Sequence, residues 1–145
     1  MKRPWNTLPD EGSASVELAV LTPIVLVVLA VVIAGGRIVG AHAALDTATT
    51  AAARAASLAR TGTTAHAAAT TTAHDTLGQH GLHCNQQVLD IDTAGFTAPV
   101  GQPGTVSVRT SCTVPLADLA LPGLPGAVPL HSEFTSPLDP FRGRA

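Results

Sequence analysis

Three groups of side chains in this 145-residue chain combine residue type and spacing in a way that could carry chemistry. His80-x-x-His83-Cys84, with Cys112 available, offers the nitrogen and sulfur donors of a zinc site. Those ligands fall in a glycine-containing stretch without a second Cys or His motif, and a disulfide would consume both sulfurs. The histidines are therefore expected as solvated loop residues, and no metal is assigned. Asp90 and Asp92 could serve as paired carboxylates for acid–base work, but alternation along a strand is expected to turn them to opposite sides, as solvent-facing or turn residues. Glu133 and Asp139 read as isolated; no nucleophile elbow or phosphate-binding glycine loop occurs, so no catalytic residue, cofactor or small-molecule substrate is assigned. His42, His66, His74 and His131 are scattered without pattern.

The third group is Glu17 and its surroundings. It stands at the head of a run, Leu18 to Ile33, that holds no charge. A carboxylate deep in hydrocarbon costs roughly 2.5 to 3.5 kcal/mol on insertion scales, so anchoring alone does not explain it. A glutamate that marks the interfacial end of an ordinary anchor and favours a helix amino terminus is the simpler alternative. The run is a membrane span by composition: about twelve strongly apolar residues contribute roughly −0.3 to −0.6 kcal/mol each, enough to outweigh Glu17 and Pro23. From Val16 to Gly36, at about 1.5 Å per residue, the helix covers a hydrocarbon core of roughly 30 Å. Later apolar stretches are broken by Pro and Gly, and one crossing is expected.

What remains outside the bilayer suffices for one small domain with a thin core. Aromatic residues make up 3% of the chain, which excludes the bulky walls of a large cleft. A net charge of −2 with eight Lys plus Arg argues against nucleic acid as a partner. Lys2 and Arg3 precede the span and Arg37, Arg54 and Arg60 follow it, so charge bias does not orient the chain. The cysteines do: Cys84 and Cys112 are the only two, and a pair within a small domain suits a disulfide in an oxidising compartment. Two unpaired buried thiols are the alternative. The amino terminus is placed in the cytosol and the carboxyl-terminal region outside.

The expected fold is α+β: a single-pass membrane protein with a long amino-terminal helix, a second short helix and a small antiparallel sheet of about three strands. Residues 1–12 form a polar leader, 13–36 the transmembrane segment, 37–77 extracytoplasmic helices, 78–136 a small disulfide-closed β region and 137–145 a flexible tail. The first helix should run without a break to Arg60, with Leu45, Ala48, Ala52, Ala55 and Ala59 on a narrow packing stripe. Gly62 is expected at a left-handed position with a threonine cap, then a helix over about 65–77, ended by Gly78 and Gly81. Period-two patterning predicts strands over about 85–91, 106–114 and 128–135, with Cys112 pointing inward together with Val106, Val108 and Val114. The Leu- and Pro-rich connection 115–126 is expected to cover an edge of the sheet. Gly36-x-x-x-Gly40 is either a close helix contact or a flexible point.

The stretch Gly12-Ser-Ala-Ser-Val-Glu17-Leu-Ala-Val-Leu-Thr-Pro23, followed by an apolar run, Gly36-Arg37 and an Ala-rich helix with Arg54-Ala-Ala, resembles the TadE-like family of pilus-assembly proteins. These are the pseudopilins of tight-adherence systems, and the resemblance covers about residues 12 to 60. It implies cleavage after Gly12 by a prepilin peptidase, with Ser13 as the new amino terminus and Glu17 retained five residues into the mature chain. Glu17 and Pro23 would then act in assembly. The partners implied are the peptidase, other pseudopilins and the pilus assembly platform, in fibre assembly or a related secretion system. The carboxyl-terminal half more loosely resembles actinobacterial members with one disulfide and a Leu-Pro-Gly loop. Ser13 is smaller and more polar than the first residue of many type IV pilins, and Asp10 and Glu11 flank the cut. Physically, a free ammonium on Ser13 buried against neighbouring helices needs a counter-charge, which a carboxylate one turn along can supply. Two rival fates are signal-peptidase release at Ala41-His42-Ala43 and an uncleaved anchor bearing a binding module.

Overall fold

A computed structural model describes residues 13–119 and 125–141. The leader 1–12 with Gly12, the centre of the Leu-Pro-Gly connection and the last four residues lie outside them. α1 spans Ser13–Ser57, 45 residues, about 68 Å of helix at about 1.5 Å per residue. The alanine-rich composition of its second half, free of Pro and Gly after Gly40, favours unbroken helix. The helix stops at Ser57 and not at Arg60, because Ala59 turns back to the carbonyl of Ala56 and the next residues must enter a cap.

That cap is Thr61. Its side chain accepts from the Thr64 backbone N–H while Thr64 returns a bond to the Thr61 backbone, a reciprocal pair that satisfies two free donors. α2 therefore begins at Gly62, earlier than the expected start at Ala65, and runs to Gln79. Gly62 has helical backbone and is not the left-handed residue; that conformation falls to Gly81, at φ 65°, where the chain leaves the helix. Gly78 lies within the helix.

β1 (Gln86–Asp92), β2 (Gly104–Pro115) and β3 (Ala127–Leu138) form one antiparallel sheet in that order. The long amino-terminal helix, shorter second helix and three-stranded antiparallel sheet make an α+β fold. β3 extends three residues past the expected end, since Ser136 and Leu138 continue the inward parity of Leu130 and are buried. A 3₁₀ turn at Ala94–Thr97, not expected from the sequence, joins β1 to β2. Its approach is so close that a side chain at Gly95 would run into the Thr105 backbone. A single helical turn, α3 (Leu116–Leu119), opens the connection to β3 and buries Leu119.

The core lies between one face of the sheet and the outer half of α1, with α2 alongside. Alanines at Ala52, Ala53, Ala56, Ala65, Ala69 and Ala73 let the two helices approach beneath Val106, Val108 and Leu138. Nearer the apolar half of α1, Ala41, Leu45, Ala48 and Leu77 pack on Cys112, Val114, Leu119 and Leu130. The buried stripe of α1 runs through Ala53 and Ala56, whereas Ala55 is only half-buried; the helix is turned slightly from the expected face.

Candidate functional site

Chemistry-bearing groups are thinly spread. Cys84 and Cys112 form a disulfide, Cα atoms 5.2 Å apart, closing 28 residues of sequence. Pairing of Gln87 with Cys112 and donation from Asn85 N–H to the Thr113 carbonyl at 2.8 Å bring the start of β1 beside β2. In the chain-entropy model such a loop stabilises by about 3 to 4 kcal/mol. With both sulfurs bonded to each other, His80 and His83 remain as exposed loop residues, and no cluster of metal-ligating side chains occurs among the described residues.

Asp90 and Asp92 are on the same side of β1, both exposed, contrary to the expectation of opposite faces. Residues two apart on a strand point the same way. Nor is Glu133 isolated. Registration of Asp90 with Arg109 and of Arg109 with Glu133 lines up a row of three charges across the sheet's outer face, Arg109 standing 3.0 Å from Glu133 and 3.9 Å from Asp90. Hydrogen bonding from Arg109 holds the Glu133 carboxyl below its ordinary range, and the same bond raises the Arg109 guanidinium. All three are exposed, so the row orders the surface more than it stabilises it. The three charges border an open groove of about 460 Å³ that Ser111, His131 and Ser132 also line.

The feature with the clearest capacity for function is α1 itself. From Val16 to Ile33 every large apolar side chain is exposed, and the most apolar window contacts nothing else in the chain. This helix is long and apolar enough to cross a membrane. Glu17 is exposed in its first turns. Pro23 lies within the helix and has no N–H to give Ala19, while Thr22 Oγ1 donates to the Leu18 carbonyl at 2.6 Å. Backbone polarity is thus locally loosened in the same segment that carries the carboxylate.

One exposed stripe continues past the apolar run. Leu18, Thr22, Val25, Leu29 and Val32 recur every three or four residues, and the same spacing leads on through Gly36, Gly40, Ala43, Thr47, half-buried Thr50 and Arg54 to Leu58 in the turn after α1. Leu58 is 86% exposed. A side chain added at Gly35, Gly36 or Gly40 would meet nothing within 4 Å. Glycine inside a helix costs roughly 0.5 to 1 kcal/mol relative to alanine, and among the described residues nothing lies within 4 Å of where a Cβ would stand at these three.

The site is thus a long apolar helix, exposed along its first half and packed along its second against a small disulfide-closed sheet. Residues 12–54, under a third of the chain, match the model of the family described as TadE-like protein, in agreement with the resemblance read from Gly12, Glu17 and Pro23. The match ends within the outer half of α1 and leaves α2 and the sheet uncovered. No curated protein and no solved structure matches the chain.

Proposed function

We propose that this protein is a TadE-like pseudopilin, a non-enzymatic subunit that acts by assembly in a tight-adherence pilus or a related secretion system. The observation that carries this reading is the uncovered stripe of α1, which begins beside Glu17 and keeps glycines that its own chain does not use. Helices that associate in a bilayer do so through small residues that admit close backbone approach, and Gly36, Gly40 and Ala43 supply them where the apolar run ends. The TadE-like match supports the assignment to pilus assembly at the level of the family.

In this reading a prepilin peptidase removes residues 1–12 at the cytosolic face. Ser13 then carries a free ammonium, and Glu17, one turn along, neutralises the ammonium of its own or a neighbouring subunit. α1 crosses the membrane once with the sheet outside, where the Cys84–Cys112 bridge is stable to the surroundings. Pro23 loosens the helix so that stacked subunits settle in register. Glu17→Ala tests the reading: membrane abundance should stay normal while fibre assembly is lost. Unchanged assembly would remove Glu17 from the mechanism, and an intact Met1 in cells containing the peptidase, seen by mass spectrometry, would remove the processing step.

A further inference from the structure

Where the apolar run of α1 ends, an open cavity of about 740 Å³ lies between this helix, the loop after α2 and α3. Its helical wall is Arg37, Gly40, Ala41 and Ala44; the loop after α2 brings His80 and His83 to it, and α3 closes the side with Asp118. Arg37 is the first charge after Glu17 along α1, so if residues 18–36 occupy the hydrocarbon, its guanidinium reaches the depth of the phosphate layer. Nη1 donates to the Asp118 backbone carbonyl at 3.4 Å, which steers the group toward the cavity and leaves its other donors unspent. Two imidazoles line the same space, each able to donate one N–H, against the single Asp118 carboxylate. Gly40 and Ala41 leave room beside the helix for a ligand, since a side chain at Gly40 would meet nothing within 4 Å.

We infer that this cavity binds the phosphate of an anionic phospholipid headgroup, held by Arg37 and the two loop histidines, and so seats the sheet at a fixed height on the outer membrane surface. Arginine matches phosphate oxygens with a planar fork of donors, and the cavity places it where such phosphates are most concentrated. The inference rests on the membrane-spanning reading of α1. It adds a lipid partner and gives work to Arg37, His80 and His83 that assembly through the adjoining stripe, which shares Gly40 with the cavity wall, does not.

The full chain is purified in mild detergent and titrated with phosphatidylglycerol, phosphatidylcholine or inorganic phosphate, with retained ligand counted by native mass spectrometry. One phosphatidylglycerol should be retained per chain in preference to phosphatidylcholine. Loss of a charge-assisted contact in Arg37→Gln should weaken retention about tenfold, and His80→Gln combined with His83→Gln should also weaken it measurably. Loss confined to Arg37→Gln would mean an ordinary interfacial arginine and would overturn the site. Equal retention of inorganic phosphate and lipid would overturn the lipid assignment. Flotation of each variant with liposomes separates the two readings: a wild-type chain that does not float overturns the span and this proposal together. Flotation without lipid preference overturns only the proposal.

Discussion

The two halves of α1 have the same backbone and opposite surroundings. Between Val16 and Ile33 the helix is wide, with valine, leucine and isoleucine exposed all round; between Ala41 and Ala56 it is narrow, and one face of it, Ala41, Ala44, Ala48, Ala52, Ala53 and Ala56, is sealed beneath the sheet and α2. Large side chains occur where no other part of the chain packs, and small ones where it does. That inverts the habit of a soluble core and follows from solvent: lipid accepts bulk without complementarity, whereas a second helix at close range needs small side chains. The exposed inner half is long and apolar enough to cross a bilayer, while burial in the outer half reflects packing within the chain. The exposed positions Gly36, Gly40, Ala43 and Thr47 belong to neither, because they are small, lie outside the apolar run and are not covered by the sheet or α2 among the described residues.

Substitutions that exchange the conditions of the two halves should break the contrast in graded steps. Replacing both Cys84 and Cys112 by serine should lower the stability of the outer region by about 3 to 4 kcal/mol, read as protease sensitivity of the sheet in detergent-solubilised protein, with membrane extraction unchanged. Val27→Asp should oppose insertion by roughly 2.5 to 3.5 kcal/mol and shift protein into the carbonate-soluble fraction, whereas Thr47→Asp, on the stripe beyond the apolar run, should leave insertion as it was. Ala52→Leu overfills the junction of α1 with α2 and the sheet and should cost about 1 to 3 kcal/mol by denaturant unfolding, while Thr47→Leu on the exposed side should cost little.

The smallest effect is electrostatic. Because the folded Glu133 carboxyl lies below its unfolded value, its pairing with Arg109 stabilises fully above the ordinary carboxylate range and is lost as pH falls through the folded value. Thermal unfolding followed from pH 6 to pH 3 should show a slightly shallower decline for Glu133→Gln than for the wild type.

Much of this was legible in residue order. Periodicity of three to four and of two placed both helices and all three strands, and the parity of Val106, Val108 and Val114 correctly turned Cys112 inward. Element ends were harder, because they depend on bonds between positions whose side chains carry no hydrophobic signal. Thr61 and Thr64 cap each other and draw Gly62 into the helix, and Leu138 joins β3 only because it finds a place beneath the sheet. The row of Asp90, Arg109 and Glu133 was hidden because strand register is a tertiary fact. Parity alone places Asp90 and Asp92 on one side, and would have found half of it. The cavity at Arg37 gathers residues from α1, the loop after α2 and α3, far apart in sequence, and spacing could not reveal it.

The central claim is that the uncovered stripe of α1 is an assembly surface, and Gly36→Leu tests it most directly. A Cβ at this position meets nothing within 4 Å among the described residues, so folding, disulfide formation and membrane insertion should all be preserved. Assembly, measured as pilus fibres or as cross-linked subunits recovered from membranes, should be lost. Normal assembly by a stably inserted Gly36→Leu protein would contradict the claim.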